Sequence, residues 1–129
     1  MSSWLPRSAV CVAAFLLFGC GGHPLERKLS GRWLGQEVEH VPDPILAAAS
    51  GWARGTSFEF AHGTITVAIP AEEPRSGKYR VASANDKDVQ LQVTRADGTV
   101  DRVQLKLDDE RSLRWMLGDG RAVVMRRER

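Results

Sequence analysis

From Leu29 onward, apolar and polar residues alternate with a period of two. In "TSFEF", Phe58 and Phe60 share one side of the chain and Glu59 takes the other. In "TITVAI", Ile65, Val67 and Ile69 oppose Thr64, Thr66 and Ala68. "KYRV" alternates Tyr79 and Val81 with Lys78 and Arg80, and "VQLQVTR" sets Val89, Leu91 and Val93 against Gln90, Gln92 and Thr94. "RVQLKLD" and "SLRWML" continue the pattern with Val103, Leu105 and Leu107, then Leu113, Trp115 and Leu117. Such alternation predicts strands with one buried and one solvated face. Adding "RWLGQEVE" before them and "RAVVMRR" after them gives eight strands.

Turn chemistry separates these runs at His62-Gly63, Arg75-Ser76-Gly77, Asn85-Asp86, Asp97-Gly98, Asp108-Asp109 and Asp119-Gly120. The connections are short, so consecutive strands are expected to pair antiparallel in a meander. One helix interrupts the series, in "PDPILAAASGWARG" between strands one and two. Asp43 suits its N-cap, Pro44 its first helical position and Gly55 its end. Ile45, Ala48, Ala49 and Trp52 would then share a face. An eight-stranded meander with one buried face closes naturally as an up-and-down barrel, which leaves no open edge. An open sandwich of the same strands is the alternative.

The first residues read differently. Arg7 precedes a ten-residue apolar run, Ala9 to Phe18. That is too short for a bilayer span, which needs roughly 20 residues, and suits the apolar region of an export signal. At its end Leu17, Phe18, Gly19 and Cys20 resemble the Leu-x-Gly-Cys lipobox of bacterial lipoproteins. The resemblance implies a signal peptide over residues 1–19 and a Cys20 that carries the acyl chains, palmitate among them. It also implies a protein anchored in the cell envelope, with Gly21 after the cysteine pointing to the outer membrane, facing the periplasm. Secretion by cleavage after Gly21 is the other reading. Cys11 would leave with the leader and Cys20 is the lipid site, so the mature fold would hold no thiol for a disulfide, a nucleophile or a metal. Residues 20–28 make a short polar lipidated tether. Its last eight residues, Gly21 to Lys28, reach no more than about 25–30 Å, and the domain proper would run over 29–129.

Charge adds little. Without residues 1–19 the chain keeps 17 Lys+Arg against 16 Asp+Glu, with the basic residues scattered. Nucleic acid is therefore not an expected partner. His23, His40 and His62 show no metal-ligand spacing, and "EVEH" falls on the solvated face of a strand end, so no metal and no cofactor is expected. A Gly-x-Ser-x-Gly elbow, a phosphate loop and a dinucleotide fingerprint are all missing from the sequence, so the domain is not expected to be an enzyme.

"LSGRW" resembles the Gly-x-Trp start of lipocalin-like and wider calycin barrels, with Gly31 and Trp33 at the matching positions. In that family the tryptophan closes one barrel end, packed by an arginine from the last strand, a place that Arg126 or Arg127 would take here. The resemblance covers roughly residues 29–127. The inward positions are bulky (Phe58, Phe60, Tyr79, Trp115, Leu117 and Met125), so any pocket should be small. Trp52, Tyr79 and Trp115 are the candidate ligand contacts. "RSGKY" resembles the inhibitory hairpin of barrel-shaped lysozyme-inhibitor lipoproteins, with Ser76 and Lys78 at the matching positions of a 70–78 loop.

Two functions follow as expectations. The first is a lipid-anchored, monomeric, non-catalytic module binding a small apolar or amphipathic molecule. The second is a protein-interaction module, such as a lysozyme-type enzyme inhibitor working through the 70–78 loop, and a purely structural envelope role is the default if neither holds.

Overall fold

The computed structural model describes residues 23–128. The leader over 1–19 and the Cys20 lipidation site lie outside the described residues. Eight strands follow the chain in order: β1 (Gly31–Glu39), β2 (Ser57–Ala61), β3 (Thr64–Ala68), β4 (Arg75–Asn85), β5 (Asp88–Arg95), β6 (Val100–Leu107), β7 (Ser112–Gly118) and β8 (Arg121–Arg127). They form one closed antiparallel barrel in which each strand pairs with its chain neighbours. The ring shuts between β1 and β8, with Trp33 opposite Arg127 and Glu39 opposite Ala122. The sandwich alternative is thereby excluded, since closure leaves no strand edge exposed.

The interior is filled largely by the in-phase apolar positions. Phe58 meets Phe60 edge-on at 6.1 Å and Trp115 at 5.0 Å, and Phe60 meets Tyr79 edge-on at 5.1 Å. Leu91, Leu105, Leu113 and Met125 are fully buried around them. Leu117 departs from this set. It is 41% exposed, because the β7–β8 register shifts between Met116 and Gly118 and Gly118 turns the chain away at a positive φ.

One helix lies at each end of the barrel. Helix α1 (Leu25–Leu29) precedes β1, so the polar tether read over 20–28 becomes helical from Leu25. Leu25 and Leu29 stand four apart, and one helical turn puts both on the same face. Leu29 is fully buried and Leu25 packs against the core. Helix α2 (Asp43–Arg54) lies at the opposite end, between β1 and β2, and stops at Gly55. Its start is shifted by one residue from the sequence reading: extended Pro42 is the N-cap and Asp43 opens the helix. Its buried side also differs. Ala53 is fully buried with Ala49 and Trp52 packed on the core, whereas Ile45 is 47% exposed. The cause is a close approach at Gly35, whose N–H donates to the Thr56 carbonyl at 2.9 Å and whose missing Cβ leaves room for the Ala53 carbonyl.

The stretch Arg75-Ser76-Gly77 is not a turn. It opens β4 and pairs with Val67, Thr66 and Ile65 of β3. The reversal sits upstream, where Ala71 adopts a positive φ between Pro70 and Pro74. Both prolines lack the N–H that a ladder needs, so the chain turns between them and resumes pairing after Pro74.

Candidate functional site

The barrel has one closed end and one open end. The closed end is built around Trp33, which is 1% exposed and donates its indole N–H to the Leu29 carbonyl at 2.9 Å. The Arg127 guanidinium lies 4.3 Å from the centre of the Trp33 ring, within cation–π range. The same guanidinium donates to the carbonyls of Lys28 and Ser30, and to that of Glu110 at 3.1 Å. Gly31 makes room for it at φ +116°, a conformation that side-chain-bearing residues rarely adopt. Of the two arginines that the sequence offers for this place, Arg127 occupies it. Arg126 is exposed on the outer face of β8. Outside this closure a groove of about 540 Å³ runs past Leu25, Lys28, Lys87 and Arg111.

The open end holds a cavity of about 300 Å³. Ile65 and Val67 of β3, Val93 of β5, Val103 of β6 and Trp115 of β7 form its apolar wall. Trp52 of α2 stacks on Trp115 at 6.3 Å and 26°, so the helix packs against one residue of this wall. The rim is charged. Arg95 and Asp101 make an ion pair at 2.5 Å, and Arg75 pairs with Glu72 at 3.2 Å. The hydrogen bond to Asp101 raises the pKa of Arg95 further above its ordinary value.

The three candidate ligand contacts do not converge. Trp115 lines the cavity and Trp52 stacks against it without lining it, whereas Tyr79 is 8% exposed and sits against Phe60, also outside the lining. Burial, with a smaller contribution from the Glu26 charge on α1, pushes the Tyr79 hydroxyl up to about 12. Ser76 and Lys78 are not on a loop. Both belong to the outer face of β4, where the Ser76 hydroxyl lies 2.9 Å from that of Thr66 and Lys78 is paired across from Thr64. The loop reading fails for the reason already given, the prolines at 70 and 74.

The sequence reading passed over Arg75, Arg95 and Asp101, although a signal for them existed. Arg95 continues the phase of Val89, Leu91 and Val93, and Asp101 leads that of Val103, Leu105 and Leu107. A charged residue in phase with an apolar face marks the level at which a barrel interior meets water. Among the described residues, no three His, Cys, Asp or Glu side chains are placed to hold a metal ion.

No protein-family model and no curated protein matches this chain. In structure it is similar to an uncharacterized protein of Bacteroides eggerthii, with a TM-score of 0.51 and 12% identity over 78% of this chain and 99% of that one. It is also similar to a lipocalin-like protein of Bacteroides uniformis, with a TM-score of 0.49 and 15% identity over the same shares. At such identities the likeness concerns fold. The chain is a closed, eight-stranded, antiparallel up-and-down barrel with a short helix after its first strand.

Proposed function

We propose that this protein is a non-catalytic binding module of the cell envelope, held to the membrane through Cys20, that takes a small apolar or amphipathic molecule at the open end of its barrel. One observation carries the reading: an apolar cavity of about 300 Å³ continues the barrel interior to the surface and ends in a charged rim. A cavity of this kind, apolar within and with a few polar groups at its lip, is the usual form of a small-molecule site. The larger groove at the closed end is less suited, because Trp33 and Arg127 seal it from the interior. The lipobox resemblance at Leu17–Cys20 supports the anchor, and α1 places the chain's point of entry at the closed end.

Native mass spectrometry tests the ligand. Residues 21–129, purified from a periplasm without detergent, should carry a reproducible extra mass that is lost on denaturation. A bare mass from several preparations would overturn the ligand-binding reading. For the anchor, Cys20→Ser should release the protein from membranes and abolish acyl mass, and membrane retention of this variant would refute lipidation.

A further inference from the structure

We infer that the mouth selects an amphiphile whose head group carries both charges, over one bearing a single charge; this rests on the binding-module reading above. Strand alternation turns Arg75, Arg95 and Asp101 toward the barrel interior, in phase with Tyr79, Val93 and Val103. The Arg95 and Asp101 side chains are 38% and 39% exposed, so a head group at the lip reaches both without entering the core. The charged residues lining the cavity are Glu72, Glu73, Arg75, Arg95, Asp101 and Arg102. Three of these are acidic and three basic, so the residues around the lip carry no net formal charge.

The pairing decides the rest. A singly anionic head group gains Arg95 only by displacing Asp101, which leaves that carboxylate beside the incoming charge. A cationic head group meets the mirror problem at Arg95. A zwitterionic head group exchanges one pair for two, its anion on Arg95 and its cation on Asp101. Below the head group, a single alkyl chain would run along Val93, Val103 and Trp115.

The test is isothermal titration of the detergent-free full chain carrying Cys20→Ser with four ten-carbon probes kept below micelle formation. These are decylphosphocholine, decanoate, decyltrimethylammonium and decanol, each affinity being expressed relative to decanol for the same variant. Decylphosphocholine should bind about fivefold tighter than either singly charged probe, the scale of a partly exposed ion pair. Asp101→Asn should shift the preference toward decanoate and Arg95→Gln toward decyltrimethylammonium. The exchange of Arg95→Asp with Asp101→Arg retains a pair and should restore the preference for decylphosphocholine. Equal binding of the charged probes, or ratios that none of these variants moves, would overturn the head-group inference while decanol binding upholds the module. Failure of all four probes would reject both.

Discussion

The Arg127 guanidinium, near the end of the last strand, lies over the ring of Trp33 at the start of the first, 4.3 Å from its centre. It also ties together three carbonyls, on Lys28, Ser30 and Glu110. Arg127→Ala removes the ring contact and three solvent-accessible hydrogen bonds, so a loss of about 1–2 kcal/mol in urea unfolding is expected. Arg127→Lys should recover only part of it, because an ammonium cannot reproduce the planar fork. A loss below about 0.5 kcal/mol for the alanine variant, the range of ordinary surface changes, would show that this contact does not secure the closed end.

Gly35 is the point where α2 is laid on β1. A methyl group there would overlap the Ala53 carbonyl, which is backbone and cannot swing aside. Gly35→Ala should therefore cost about 2–4 kcal/mol, in the range of severe overpacking. Gly51→Ala, in the same helix and with open space around it, should be neutral or slightly stabilising. Thermal unfolding of the pair separates a steric cause from a general intolerance of side chains near α2.

Tyr79 is the single tyrosine of the chain, so its titration can be followed by phenolate absorbance without overlap from another. The folded protein holds this proton more tightly than the unfolded chain, with a pKa of about 12 against 10.0. The stability that this contributes is complete below pH 10.0 and declines as the pH rises toward about 12. The native protein should thus ionise Tyr79 well above the midpoint seen in denaturant. Coincident midpoints would mean that Tyr79 is solvated in the native state. Tyr79→Phe should flatten the alkaline arm of the stability curve.

Val103 lines the cavity, and its side chain is only partly buried. Val103→Trp should fill the mouth and abolish uptake of decanol in the same titration. Because the added ring enters existing space, the cost in stability should stay within about 1.5 kcal/mol. Undiminished decanol binding in a correctly folded Val103→Trp protein would move the site elsewhere.

The eight strands were legible because each buries one face, and a half-buried strand writes its geometry as alternation. Helix α1 was not, since Leu25 and Leu29 are too few to show a helical period inside a polar string. At Arg75-Ser76-Gly77 local turn chemistry suggested a reversal, but Pro70 and Pro74 had already claimed it. Trp52 and Trp115 are 63 positions apart in the chain, and only the packing of α2 on the barrel brings them to 6.3 Å. The rim was overlooked for a different reason. The apolar alternation ends at Val93 and begins at Val103, and the charged Arg95 and Asp101 stand one step beyond it in the same phase.

The hydrogen bonds from Arg127 to Lys28 and Ser30 span 99 and 97 residues. No stretch of chain shorter than nearly the whole domain can make them, so the barrel cannot be shut while β8 is still missing. Until then β1 and β7 are bare edges, and the nascent sheet is open to pairing with other chains. Closure also carries the largest loop entropy in the molecule, which places it among the slow, topology-limited steps of folding. A chain cut before Arg121 should accordingly collect as aggregate rather than as a smaller soluble domain, and the rate-limiting event in refolding of the intact protein should be the meeting of its two ends.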